Sequence, residues 1–188
     1  IGGEPGFDPI WEDTAATINV SGEGSTIYAQ ETVIRHRNAT INVANGGKFS
    51  GQIFQVGVSG QESSDTVNIN VSGSEWNIGI ATMMNHGTLT LCDNSKFDLG
   101  RLTLAGTAAM NVADSEGFAT AMDLSGSSRV SIANGAFSVG QTDMSGAAQV
   151  SVTGGALDVR GKLYLRGSTV MGATNGSQLT VSSAYLSE

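Results

Sequence analysis

The sequence predicts an all-β fold, a parallel β-helix (β-solenoid) of about eight short rungs, and three observations predict it. An alternating apolar anchor recurs as Ile18-Asn-Val20, Ile41-Asn-Val43, Ile69-Asn-Val71, Leu89-Thr-Leu91, Met110-Asn-Val112, Val130-Ser-Ile132 and Val150-Ser-Val152. From Ile69 onward the anchors stand roughly twenty residues apart, a period that belongs to stacked repeat architectures. A turn of Gly, Asn, Asp and Ser follows each anchor, and a large apolar side chain then comes at a nearly constant distance.

Each element of the rung has a local cause. Alternation over a few residues puts the apolar side chains of the anchor on one strand face. The turns Asn45-Gly46-Gly47, Ser72-Gly73-Ser74, Asp93-Asn94-Ser95, Asn134-Gly135 and Thr153-Gly154-Gly155 are built from residues that tolerate a left-handed backbone. A second short strand begins with Phe49, Trp76, Phe97, Phe118, Phe137 or Leu157, seven or eight residues after the start of its anchor. A third carries Phe54 and Val56, Leu102 and Leu104, Met122 and Leu124, or Leu163 and Leu165. Three short strands and three corners per rung follow. A single rung cannot bury its apolar face, but stacked rungs can, with hydrogen bonds running between rungs about 4.8 Å apart. The aromatic residues Phe49, Trp76, Phe97, Phe118 and Phe137 are therefore expected in one internal column. A β-sandwich would also show short strands, but it needs neither turns at a fixed phase nor one aromatic per repeat.

The segment Ile1 to Ala16, with Pro5, Pro9 and Trp11, lacks the repeat and is expected to be a lead-in or a cap on the first rung, with the solenoid over 17–188. The last rung, Val170 to Glu188, keeps the pattern with no polar cap, so the solenoid ends are expected to associate homotypically.

Composition narrows the function classes. A 39% hydrophobic content with only 14% charged residues argues against disorder. The net charge of −8 disfavours nucleic acid and anionic membrane surfaces as partners. No apolar run reaches the roughly 18 residues a transmembrane helix needs. Cys92 is the sole cysteine, which excludes an intrachain disulfide. It falls at the turn position held elsewhere by Ala44, Ser72, Ala113, Ala133 and Thr153, so it is expected to pack there rather than react. Asn19, Asn38, Asn70 and Asn175 each open an Asn-x-Ser/Thr triplet and are expected as outward strand or turn residues.

The pattern x-Val-x-Val, Asn-Gly-Gly, x-Phe-x-Val, Gly, x-Leu-x-Leu, clearest over Val130 to Val139 and Val150 to Leu165, resembles the passenger regions of bacterial autotransporters and adhesins of the filamentous-haemagglutinin type. The resemblance covers about residues 17–188. It implies a right-handed parallel β-helix, export to the bacterial cell surface, and a structural or adhesive role with a surface glycan or protein as partner.

Many parallel β-helices act on polysaccharides, so a polysaccharide-processing or phage tailspike-like module is the alternative. The polygalacturonase-like set of Asp-Asp, Gly-His-Gly and Arg-x-Lys is not assembled here. Only Asn85-His86-Gly87 and, several rungs away, Arg160-Gly161-Lys162 approach it. No Gly-x-Ser-x-Gly elbow and no Gly-Gly-x-Gly-x-Asp calcium repeat occur. The chain is therefore expected not to be an enzyme and to hold no cofactor or metal.

One corner stands out. Arg35, His36 and Arg37 occupy it in one rung, Glu62 and Asp65 in the longer loop of the next, and His86 in the rung after that. These six form the candidate binding corner. Two histidines two rungs apart stand about 10 Å from each other by rung spacing, too far to share a zinc ion without refolding of the loop. Gly60 to Asp65 is expected to project from the body and to be cleaved early by proteases.

Overall fold

The structure, a computed structural model, describes residues 16–34, 38–57 and 66–187. It is a parallel β-solenoid of eight turns. The anchors form β1 (Ala16–Ser21), β3 (Ala39–Ala44), β5 (Val67–Ser72), β7 (Gly87–Cys92), β9 (Ala109–Ala113), β11 (Arg129–Ala133), β13 (Gln149–Thr153) and β15 (Val170–Thr174). Alternating with them are the longer strands β2 (Thr26–Ile34), β4 (Lys48–Val56), β6 (Glu75–Met84), β8 (Lys96–Ala105), β10 (Glu116–Leu124), β12 (Ala136–Met144), β14 (Ala156–Arg166) and β16 (Gln178–Ser187). Odd strands make one eight-stranded sheet and even strands the other, in sequence order. Every pairing is parallel, which excludes the sandwich.

The rung differs from expectation in one respect. Its second and third strands run as a single ladder that bends. In β6 the buried residues are Trp76 and Ile78, then Ala81 and Met83, so the inward spacing steps from two residues to three at the bend. Gly79, Gly100 and Gly140 occupy that bend in their rungs. A Cβ on Gly100 would be driven into the carbonyl oxygen of Gly79, and one on Gly140 into that of Thr120. Gln52 and Thr120 hold the same position in other rungs, so the bend does not need glycine; where glycine stands, the rungs approach closely. Three faces thus rest on two hydrogen-bonded sheets.

Inward columns are nearly pure apolar. Ile41, Ile69, Leu89, Met110, Val130 and Val150 stack through register, as do Val43, Val71, Leu91, Val112, Ile132 and Val152. The aromatic spine begins as expected: Phe49 and Trp76 stack at 4.6 Å between ring centroids, and Phe54 meets both edge-on.

Phe118 breaks the spine. Its register partners are Asp98 and Ser138, and Gly117 aligns with Phe97 and Phe137. Phe118 therefore lies on the outer face. The rings of Phe97 and Phe137 close over the rung between them, with centroids 5.3 Å apart, and a Cβ on Gly117 would fall within the Phe97 ring. The cause is turn length set against spacing. Asp93 and Asn94 both have positive φ before β8, whereas Asp114 alone leads into β10 and Asn134 alone into β12. Phe118 keeps the eight-residue spacing from its anchor that Phe97 has, and not the seven of Phe137. The shorter turn brings Gly117 to the inward position, one residue before the phenylalanine.

Among the described residues, asparagine and aspartate hold every non-glycine positive-φ site, as at Asn45, Asp114, Asn134 and Asn175. Asn19 and Asn70 face outward and join a side-chain ladder in which Asn70 donates to Asn42 at 3.0 Å and Asn42 to Asn19 at 2.9 Å. Asn38 accepts the Thr66 N–H at 3.0 Å. Of the lead-in, residues 1–15 lie outside the described residues, and β1 opens at Ala16.

Thr142 interrupts an apolar column between Met122 and Leu163; it is 0% exposed and its Oγ1 has no hydrogen-bond partner. Thr142→Val keeps the shape and removes the orphaned hydroxyl. It should raise stability by about 1 kcal/mol in urea titrations. A loss of stability would reveal a partner for the hydroxyl.

Candidate functional site

The corner singled out by sequence is only partly visible. Arg35, His36, Arg37, Glu62 and Asp65, and the loop Gly60 to Asp65 with its expected protease sensitivity, lie outside the described residues. His86 is exposed in the turn between β6 and β7, with its Nδ1 3.2 Å from Thr107 Oγ1 on the next rung. Among the described residues no group of three or more His, Cys, Asp or Glu side chains is placed to hold a metal ion.

Cys92 stands in register with Ser72, as the turn alignment predicts. Burial pushes its thiol pKa up, and a thiol hydrogen bond to Asp93 Oδ2 at 3.3 Å adds to the effect. Asp93 also accepts from Ser72 Oγ at 2.6 Å, which holds its carboxyl below the ordinary value. A thiol that resists ionisation is a poor nucleophile and a good packing group.

Charged side chains sit on the outer faces and are arranged by register. Lys48, Glu75, Lys96 and Glu116 occupy one outer column with alternating sign. Lys48 Nζ lies 2.9 Å from Glu75 and lowers its pKa, and Lys96 stands 3.9 Å from Glu116. Stacking in register would otherwise set like charges about 4.8 Å apart. Asp123 and Asp143 do stack that way, and each has its own arginine: Arg101 at 2.6 Å and Arg166 at 2.7 Å.

The candidate site lies where side chains shrink. In the corner column leading into the long strands, Ser74, Ser95 and Ser115 give way to Gly135 and Gly155. In the adjoining outer column Lys96 and Glu116 give way to Ala136 and Ala156. The result is an open groove of about 580 Å³ along the corner, walled by Asn94, Asp114 and Asn134. The left-handed turns fix those three residues, with φ of 63°, 48° and 53°. A second hollow adjoins it and shares Lys96, Glu116 and Ala136; Phe118, Asp98, Ser138 and Arg160 line it. Arg160 is held by Asp158 Oδ2, which accepts from Nε at 3.0 Å, and by Ser138 Oγ, which accepts from Nη2 at 3.1 Å.

Sequence reasoning missed this site because it assigned Phe118 to the core. The signal that would have found it is the glycine at 117, which stands where the neighbouring rungs carry Phe97 and Phe137. Among the described residues no helix is long and apolar enough to cross a membrane. No protein-family model, no curated protein and no solved structure matches this chain.

Proposed function

We propose that this chain is a non-catalytic structural and adhesive module of an exported bacterial surface protein, a solenoid that holds recognition surfaces rigid. One observation carries the reading: inward columns repeat while outward columns vary. The inward column of Val43 stays aliphatic through Val71, Leu91, Val112, Ile132 and Val152. An outward column on the long strands runs Ser50, Asn77, Asp98, Phe118, Ser138 and Asp158. Constant packing with a changing surface is the economy of a repeat scaffold, whose stacked rungs build extended binding faces. The likeness of the repeats to autotransporter passengers supports placement at the cell surface.

Polysaccharide processing is the second reading, favoured by the carboxylates Asp114 and Glu116 in the groove. End-to-end association belongs to the first. The last described rung leaves Val170 56% and Leu186 79% exposed, and β15 and β16 are edge strands there.

The test is retention of the purified chain on polysaccharide-coated surfaces with the reducing ends counted and the sedimentation coefficient followed against concentration. Retention without new reducing ends, and sedimentation that rises with concentration, are expected. Turnover lost in Glu116→Gln would replace this reading with the processing one, and a strict monomer at high concentration would remove the association.

A further inference from the structure

We infer that the corner groove and the outward Phe118 together form a binding site for a short neutral oligosaccharide lying along the solenoid axis. The inference rests on the adhesive reading and adds to it a ligand class and the residues that select it.

Phe118 is the first observation. Its outward column otherwise holds mostly small or polar residues, and in both flanking rungs the phenylalanine points inward. Here Gly117 leaves the spine position vacant, and Phe97 and Phe137 lean in to fill it. The ring removed from the core is placed beside a groove, among polar groups that are already oriented. Arg160 is pinned by Asp158 and Ser138, and Asp98 stands in register with Phe118.

The second observation is the groove itself. Its floor is glycine and alanine over two successive rungs, and its wall is a row of amide and carboxylate side chains. A pyranose has an apolar C–H face and a rim of hydroxyls. An aromatic ring covers the first, while carboxylates, amides and a guanidinium take the second; few polar groups on an apolar base is the usual make-up of a small-ligand site. The wall crosses four rungs, from Asn94 through Asp114 and Asn134 to Gly154, which is about 14 Å at the rung spacing. That length suits several linked sugars.

Charge selects among glycans. Asp98, Asp114, Glu116 and Asp158 outnumber Lys96 and Arg160 around the two hollows. Uronic and sulfated sugars are repelled by that excess, whereas neutral sugars are not. An extended peptide is disfavoured on different grounds. Every strand in these rungs is paired on both sides, so no edge is open to take an added strand.

The experiment titrates the whole chain with cellotetraose, mannotetraose and N-acetylchitotetraose by calorimetry, with tetragalacturonate as the acidic probe. At least one neutral tetrasaccharide should bind and tetragalacturonate should not. Phe118→Ala should weaken binding by about tenfold or more, equivalent to about 1.4 kcal/mol, and Phe118→Trp should retain it. Tyr185→Ala, on another face, should leave it unchanged, and circular dichroism should show all three variants folded. Absence of binding to every neutral probe at millimolar concentration overturns the site, as does binding indifferent to Phe118→Ala, preference for tetragalacturonate, or Phe118-dependent capture of peptides instead. If the wild-type chain is still retained on surfaces in those cases, the adhesive reading stands and only the site falls; loss of all retention removes both.

Discussion

Phe137→Ala is expected to destabilise the chain by about 3–5 kcal/mol, the range for truncating a buried phenylalanine, and Phe118→Ala by less than about 1 kcal/mol, as at a surface position. Phe137 is 1% exposed and its ring leans toward Phe97 over a rung that supplies no side chain of its own at Gly117. Truncation there joins the space left by the ring to the space left by the glycine. No neighbouring side chain in that rung can move in, so the cost belongs at the upper end of the range. Phe118, one residue from the same column, spans no such gap. Urea titrations of the two variants should separate them by their midpoints. Equal costs would mean that Phe118, and not Gly117, holds the inward position.

Gly100→Ala is the second large effect, with an expected loss of about 3 kcal/mol, toward the upper end for overpacking a tight site. The added methyl has no space, because the Gly79 carbonyl of the preceding rung already occupies it. That oxygen belongs to the backbone of the bend, so it cannot swing aside as a flexible side chain would. Either the ladder between β6 and β8 opens at the bend, or the two rungs separate locally. Gly172→Ala is the matching control. It lies on the outer face of β15 with nothing within 4 Å of its added Cβ, and it should change stability by less than about 0.5 kcal/mol. Thermal unfolding of the two variants decides the matter: a Gly100→Ala midpoint equal to that of Gly172→Ala would show that the bend has slack.

The candidate site was less legible than the fold. The binding corner of Arg35, His36, Arg37, Glu62, Asp65 and His86 rests on a longer loop and on charged and histidine side chains along one edge, and of these six only His86 lies among the described residues. The groove has no unusual residue type. It arises from two alanines and two glycines following larger residues down their columns, and a deficit of side chain is visible only once the columns are aligned. Alignment in turn depends on turn length, and Asp114 does alone what Asp93 and Asn94 do together. A one-residue difference there reverses which of Gly117 and Phe118 faces inward, because side chains alternate along a strand.

What the sequence alone determined is the solenoid: its period, its apolar anchors and its turn residues are local signals, repeated often enough that one irregular rung cannot hide them. Cys92 belongs with them, since aligning the turns was enough to place it beside Ser72. The tertiary structure decided everything that depends on neighbours across rungs. It joined two expected strands into one bent ladder, because pairing with the neighbouring rungs resumes in register on both sides of the bend. It turned Phe118 outward, because register is set by pairing with Asp98 and Ser138 and not by the count of residues from an anchor. A rung's composition follows from its own sequence, but which of its side chains meet solvent follows from the rungs above and below it.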